Sequence, residues 1–339
     1  SESLTTDSLY TDHLRAKGSL KAHRQYFEMY LRGERPFPWE LPPTKLPTED
    51  HLDVFIGGLA EQWIEDCPPN EPFYLQVNFG GPHDPWDAPP EYRSLYNPDD
   101  MPLSVREPRS GPVSPHVDLL LKYAPNNLLQ MSTAQNQIMK ANYYSKVTLI
   151  DDCIGRITQK LKDLDLLNNT WIVFSSDHGE MLGDHGLLAK KVFYEGAVNV
   201  PCLFRPPNGQ SQTNTTALTC HLDIVATLLD ISKANPLQDS DGQSLMPILR
   251  GESKTAQRTA VLSELGLPPS AFVMLRTEDH KISVDAKSRE PIELYDLSED
   301  PNELNNLVNA EEYIHVRERL VSEMLNPMLS SLDTSSWQR

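Results

Sequence analysis

The chain has 339 residues, enough for one large domain and a smaller one with an ample apolar core. A formal charge of −18 repels nucleic acid and anionic lipid, so neither is an expected partner. Hydrophobic residues make up 39% without a long uncharged apolar run, which argues against a membrane-spanning helix.

From Ser1 to about Pro47 the sequence is polar and increasingly rich in proline, with a short helix expected around Leu20 to Leu31 and an extended surface segment after it. Thr48 is a candidate helix cap followed by Glu49 and Asp50, and Leu52, Ile56, Leu59 and Trp63 recur at helical spacing up to Asp66. Pro68 and Pro69 break that pattern, and Phe73 to Phe79 follows as a strand; helix then strand is half of an α/β unit. The strand runs into Gly80-Gly81-Pro82-His83-Asp84-Pro85-Trp86, where glycines allow close backbone approach and a polar side chain comes next. Trp86 either lines a pocket or packs. The proline-rich stretch from Pro89 to about Pro125 has the character of a lid or substrate wall.

Val147, Ile150, Ile154, Ile157, Leu161 and Leu164 alternate spacings of three and four, the mark of an amphipathic helix. Asp151 and Asp152 are sequence neighbours pointing to different faces, so they read as surface and capping acids rather than an acid-base pair. The apolar run Trp171 to Phe174 suits a strand covered on both faces, as in a parallel sheet. It leads through Ser175 and Ser176 to Asp177, His178 and Gly179, a carboxylate and an imidazole side by side where strand becomes loop, the edge at which open α/β sheets bind ligands. A second Gly-Asp-His-Gly turn follows at His185, then Lys190 ahead of Tyr194-Glu195, so metal-ligand residue types and a cation recur in one loop.

Val200 to Arg205 reads as a strand, His221 to Leu229 as a helix with His221 structural, and Asp241 to Leu245 as a turn. The polar stretch from Arg250 to Thr259 is the candidate boundary. Beyond it, strand-like runs at 260–262, 272–275, 281–284 and 293–297 and a helix carrying Tyr313, Val316, Leu320 and Met324 make an antiparallel sheet with one covering helix. Cys67, Cys153, Cys202 and Cys220 lack paired spacing and are expected as buried apolar thiols.

The string SSDHGE, then GDHG, Lys190, Tyr194-Glu195 and Val200-Pro201, resembles the late metal-binding motif of the sulfatases, within the alkaline phosphatase superfamily. Pro82-His83-Asp84-Pro85 is similar to the Pro-His-x-Pro motif of that family, and Glu293 to Leu297 with Asp300-Pro301 and Asn306-Leu307 is similar to its carboxyl-terminal signature. The resemblance extends from about Thr48 to the last helix. It implies an α/β fold whose mostly parallel sheet is sandwiched by helices, with residues 1–250 as the carboxyl-terminal portion of the catalytic α/β domain and 251–339 as a small α+β subdomain, a carboxyl-terminal antiparallel sheet plus helix.

Carried over residue by residue, the resemblance makes Asp177 and His178 ligands of a divalent cation, Ca²⁺ by family and Mg²⁺ or Mn²⁺ by the single imidazole. Lys190 contacts the sulfate ester, the spacing to Tyr194-Glu195 favouring it over Lys191. His83 binds ester oxygens or helps protonate the leaving group, with Trp86 at the pocket. The implied reaction is hydrolysis of a small-molecule or saccharide sulfate ester. Many sulfatases carry Asn at the position of His178, so this chain is more similar to the branch holding iduronate sulfatases and phosphonate monoester hydrolases. Compartment, periplasmic or secreted against cytoplasmic, stays open, as does oligomeric state.

The nucleophile motif of the family, Cys/Ser-x-Pro-x-Arg, which yields formylglycine, does not occur in this sequence: Cys67 is followed directly by Pro68, Cys153 lacks the proline, and the run from Ser110 ends at Ser114 where arginine is needed. The expectation is that the sequence, which starts at Ser1, lacks an upstream segment carrying it, binds metal weakly and is inactive alone. Two readings compete with the sulfatase one: a phosphonate monoester or phosphodiester hydrolase of the same superfamily, and a non-catalytic pseudoenzyme.

Overall fold

The computed structural model describes residues 8–31, 42–68, 71–123, 131–209, 214–253, 258–267 and 270–330. The chain divides into two units, one of residues Ser1–Ser104, Gln130–Trp171 and Pro206–Gly209, the other of Val105–Leu129, Ile172–Arg205 and Gln210–Arg339.

In the first unit α1 (Leu9–Ala16) opens on a capping box, in which the Ser8 hydroxyl accepts the Thr11 amide and Thr11 Oγ1 accepts the Ser8 amide. This helix escaped the apolar pattern, yet Tyr10 and Leu14 bury against Leu46, with Leu20 of α2 (Leu20–Leu31), Leu52 and Phe55 around them. The proline-rich run after α2 lies largely outside the described residues.

Thr48–Asp50 forms a 3₁₀ turn, and α3 (Leu52–Asp66) starts beyond it with His51 as its cap, the ring accepting the Asp53 amide at 3.2 Å. The buried face of α3 is not the expected Leu52, Ile56, Leu59, Trp63 stripe. Leu59 and Trp63 are exposed, and Asp53, Val54, Gly57, Ala60 and Ile64 face inward. Small residues let this helix close on α6 (Thr133–Asp163), where a Cβ on Gly57 would stand 3.1 Å from Cys153 Cβ. α6 begins well before Val147, at a second capping box between Ser132 and Gln135, and buries Leu149, Ile150, Cys153 and Leu161 while Val147 and Leu164 stay exposed. Asp151 and Asp152 are on the surface as expected, Asp152 accepting from the hydroxyl of Tyr92 in α4 (Pro90–Arg93).

Residues 73–79 alternate half-buried and exposed side chains as a strand would, but no ladder partner exists for them among the described residues. Phe79 is anchored against Val54, Leu149 and Cys153.

In the second unit α5 (Pro115–Tyr123) precedes β1 (Ile172–Ser175), α7 (Glu195–Val198) and β2 (Cys202–Arg205). β1 pairs with β2 antiparallel, Ile172 opposite Arg205 and Ser175 opposite Cys202. The parallel, doubly covered strand expected at Trp171 to Phe174 is therefore represented among the described residues by an antiparallel pair with exposed Phe174 and Leu203. After α8 (His221–Ser232) and α9 (Met246–Leu249), β3 (Val261–Leu267), β4 (Ser270–Arg276), β5 (His280–Asp285) and β6 (Pro291–Asp296) form the expected antiparallel meander.

One face of that meander, Val273, Leu275, Ile282, Val284 and Leu294, meets Leu320, Leu325 and Leu329 of the closing helix. The helix is α10 (Ile314–Arg319), a π-turn over Leu320–Leu325, and α11 (Asn326–Ser330). The α/β class with a carboxyl-terminal antiparallel sheet thus stands. Of the four thiols, none in a disulfide, Cys153 alone is buried; Cys67 and Cys220 are half-buried and Cys202 is exposed. Among the described residues no helix is long and apolar enough to cross a membrane.

Candidate functional site

β1 ends at Ser175, and the chain turns at once. The Asp177 side chain is 86% exposed and its Oδ1 accepts the amide of His178 at 3.0 Å. His178 Nδ1 lies 2.8 Å from the carbonyl of Gly179, to which it donates when it carries the ring proton; Nε2 then faces Asp177 Oδ2 at 3.7 Å. A carboxylate oxygen and an imidazole nitrogen thus stand together with the tautomer set by the chain itself.

The turn is held from two sides. His221 at the start of α8 places Nε2 2.8 Å from the Ser176 carbonyl, and the Ser176 hydroxyl donates to the His178 carbonyl. Gly179 donates to the Ala197 carbonyl, and any Cβ there would sit 2.1 Å from the Gly196 oxygen, so only glycine fits. His221, read from sequence as a lone structural histidine, is structural in a particular way: it fixes the carbonyl beside Asp177.

The loop from 180 to 191 carries Lys190 through an unusual concentration of left-handed backbone, at Leu182, His185, Ala189 and Lys191. Surrounding groups impose these conformations. Glu180 Oε1 accepts the amides of Leu182 and Ala189, Met181 N–H donates to the Ala189 carbonyl, and His185 N–H to Val105. The His185 ring is 8% exposed and stacks on Tyr194 at 4.1 Å. Burial, helped by the Arg109 cation, pushes its pKa down to about 4. Lys190 is half-buried; Lys191 is exposed and its carbonyl is engaged by the His116 ring.

Downstream of the loop, Lys281 of β5 is 2% exposed and donates to the Phe193 carbonyl at 2.8 Å, to Glu303 at 2.7 Å and to Glu195 at 2.7 Å. Glu303 also accepts the Glu195 amide at 2.7 Å. Burial pushes the Glu303 carboxyl above its usual range. The same burial would raise Glu195, but Lys281 and then Arg276 outweigh it and hold that carboxyl low.

His83 and Trp86 belong to the other unit. His83 is exposed, with Nδ1 2.9 Å from both the carbonyl and Oδ1 of Asp84. Trp86 is 2% exposed; its indole donates to the Pro82 carbonyl at 3.0 Å and its ring meets Tyr143 edge to face. Beneath the turn lie buried Asp53 and Lys146, which the sequence reading did not single out. Asp53 Oδ1 accepts the amides of Gly80 and Gly81 at 2.9 and 3.0 Å, and Lys146 Nζ donates to Asp53 Oδ2 at 2.9 Å.

A cation bonded to two donors at about 2.0 to 2.6 Å can bridge a 3.7 Å gap, so Asp177 and His178 fit as two ligands of one metal ion. They do not make a whole coordination sphere: among the described residues no group of three or more His, Cys, Asp or Glu is arranged to hold one.

An α/β chain with an antiparallel carboxyl-terminal sheet and an Asp-His pair at a strand end has extensive likenesses. The sulfatase family model matches residues 12–234, and the carboxyl-terminal model of N-sulphoglucosamine sulphohydrolase matches residues 183–329. An arylsulfatase of Clostridium perfringens is 29% identical over 85% of this chain and 60% of its own length. The phosphonate monoester hydrolase of Agrobacterium radiobacter superposes with a TM-score of 0.82, at 24% identity, over 98% of this chain and 71% of that one. A protein solved with its substrate D-glucosamine-2-N,6-O-disulfate superposes with a TM-score of 0.71, at 22% identity, over 85% of this chain and 72% of its own. The chain belongs to the sulfatase family, within the alkaline phosphatase superfamily. It spans about three fifths of the length of the Clostridium relative.

Proposed function

We propose that this protein hydrolyses sulfate esters, with a sulfated saccharide or another small-molecule sulfate as substrate. The observation that carries the reading is the convergence of Asp177 Oδ2 and His178 Nε2 at the end of β1, in a chain of this family. The cation expected on them is Ca²⁺, with Mg²⁺ or Mn²⁺ as alternatives; when bound it would draw negative charge from the ester oxygens and acidify a nucleophile.

The chain's own groups do the rest. Asp177 and His178 present their donors without reorganisation, because His221 and Gly179 have already fixed the turn. Lys190 supplies positive charge to a nonbridging oxygen in a protein whose overall field repels anions. The family resemblance assigns His83, whose Nδ1 is turned to Asp84, to the ester oxygens or to the departing alcohol, which needs a proton as the S–O bond breaks.

Histidine rather than asparagine at 178, and the fold likeness to a phosphonate monoester hydrolase, favour one second reading, a phosphonate ester or phosphodiester hydrolase. Rates on 4-nitrophenyl sulfate and on a phenyl phosphonate monoester, measured with the native full-length protein, separate the two. The sulfate is expected to be the faster substrate, and Asp177→Ala is expected to lose bound divalent metal together with about a hundredfold in turnover. Unchanged metal content and rate in that variant would remove Asp177, and the reading with it.

A further inference from the structure

The turn that carries His83 rests on a buried charged assembly which no sequence motif announces. Lys146, 4% exposed on α6, donates to Asp53 Oδ2 at 2.9 Å and to Asp87 Oδ1 at 3.1 Å. His51 Nδ1 accepts the amide of Asp53, which puts the ring proton on Nε2, 3.3 Å from Asp87 Oδ1. The 3.2 Å approach of Lys146 Nζ to that same nitrogen is then a contact rather than a bond. All four side chains are buried. Burial disfavours each charge, but the ammonium lies between two carboxylates, so both Asp53 and Asp87 are held below the usual carboxylate range and Lys146 above its own.

Such a cluster is a poor way to gain stability, because an apolar set of the same volume does as well or better. What it does supply is an oriented acceptor. Asp53 Oδ1 takes two successive amides, Gly80 and Gly81, and a Cβ on Gly81 would meet Asp53 Oδ2 at 2.8 Å, Ile150 Cδ1 at 2.9 Å and Lys146 Cε at 2.9 Å. The backbone two residues before His83 is thereby pressed onto the cluster. On the far side the Trp86 indole ties down the Pro82 carbonyl, and Arg93 holds the Trp86 carbonyl at 2.8 Å.

We propose that Asp53 and Lys146 are positioning residues for His83: Lys146 fixes the Asp53 carboxylate, and that carboxylate fixes the Gly80-Gly81 amides and so the place from which the imidazole acts. The functional consequence rests on the reading of His83 as an anion contact; the positioning itself does not.

The test uses the full chain labelled with ¹⁵N-glycine and ¹³C,¹⁵N-histidine, as wild type, Lys146→Met, Asp53→Asn, Gly81→Ala and His83→Ala. Lys146→Met is expected to move the Gly80 and Gly81 amide protons and the His83 ring resonances, leaving those of His221 and Gly242 unmoved. Asp53→Asn keeps an acceptor for both amides and is expected to move them less. Gly81→Ala removes no charge, so it reports on the turn even if the Lys146 variant fails to fold, and it should displace the His83 signals as well. In the native full-length protein, Lys146→Met and Gly81→Ala should lower kcat on 4-nitrophenyl sulfate by about ten- to a hundredfold with a smaller change in KM.

Unmoved His83 ring signals in a folded Lys146→Met or Gly81→Ala chain would overturn the proposal. If the signals move as expected but His83→Ala leaves turnover unchanged, the positioning stands and the assignment of His83 to the ester falls.

Discussion

Burial keeps two imidazoles neutral in this protein, one in each unit. His23, edge-on to Tyr10, has its pKa pushed down to about 4 by desolvation, as has His185 stacked on Tyr194. In the unfolded chain both take a proton near the ordinary 6.5. Between those values the unfolded state binds more protons, so the stability these rings allow is complete above about pH 6.5 and drains away toward pH 4. Asp53 and Asp87, held low by Lys146, stay ionised over that window and do not offset the loss. Denaturant unfolding from pH 7 to 4 should show stability falling by about 1 kcal/mol per pH unit for each ring. His23→Phe and His185→Phe, which keep the ring contacts, should each flatten the slope.

At this scale the sequence was partly readable. Asp177, His178 and Gly179 are neighbours in the chain and announce themselves. The groups that hold them do not: His221 reaches the Ser176 carbonyl across 45 residues, and Lys146 reaches Asp53 across 93. A buried lysine paired with a distant aspartate leaves no periodic trace.

Among the elements, the closing helix shows how local chemistry shifts a pattern. Regular helical spacing from Tyr313 and Val316 to Leu320 points next to Met324. The structure buries Leu325 completely and leaves Met324 half-buried. The π-turn over Leu320–Leu325 adds the extra residue, and Pro327, which cannot donate to the turn before it, follows at once. Leu325→Ala should therefore cost about 2 to 5 kcal/mol in denaturant unfolding and Met324→Ala clearly less, the reverse of what the plain repeat implies.

α3 teaches the same lesson: its inward face is chosen by the Asp53–Lys146 pair and by the close approach at Gly57, leaving Leu59 and Trp63 outside. β1 is a strand where expected, whereas residues 73–79 show the alternating burial of one without a ladder; pairing and its direction depend on residues far along the chain, and alternation is blind to them.

For the whole molecule, composition spoke clearly about charge and class, and the carboxyl-terminal meander was readable strand by strand because its connections are short. The net charge of −18 carries its own expectation. The sulfate ester proposed as substrate would approach against the average field of this chain, and the reach of that field shrinks from about 20 Å to about 8 Å as ionic strength rises from roughly 20 to 150 mM. The KM of the native protein for an anionic sulfate ester should accordingly fall over that range; a rise would mean that a local positive field dominates capture.

The Lys281 clamp has an architectural corollary. The Phe193 carbonyl and the Glu195 amide, which close the loop bearing Lys190, are moored by side chains from residues 281 and 303. The terminal sheet is thus ballast for a segment nearly ninety positions upstream, and a chain cut back to residue 250 would retain every site residue while casting off the anchorage that keeps the end of that loop in place.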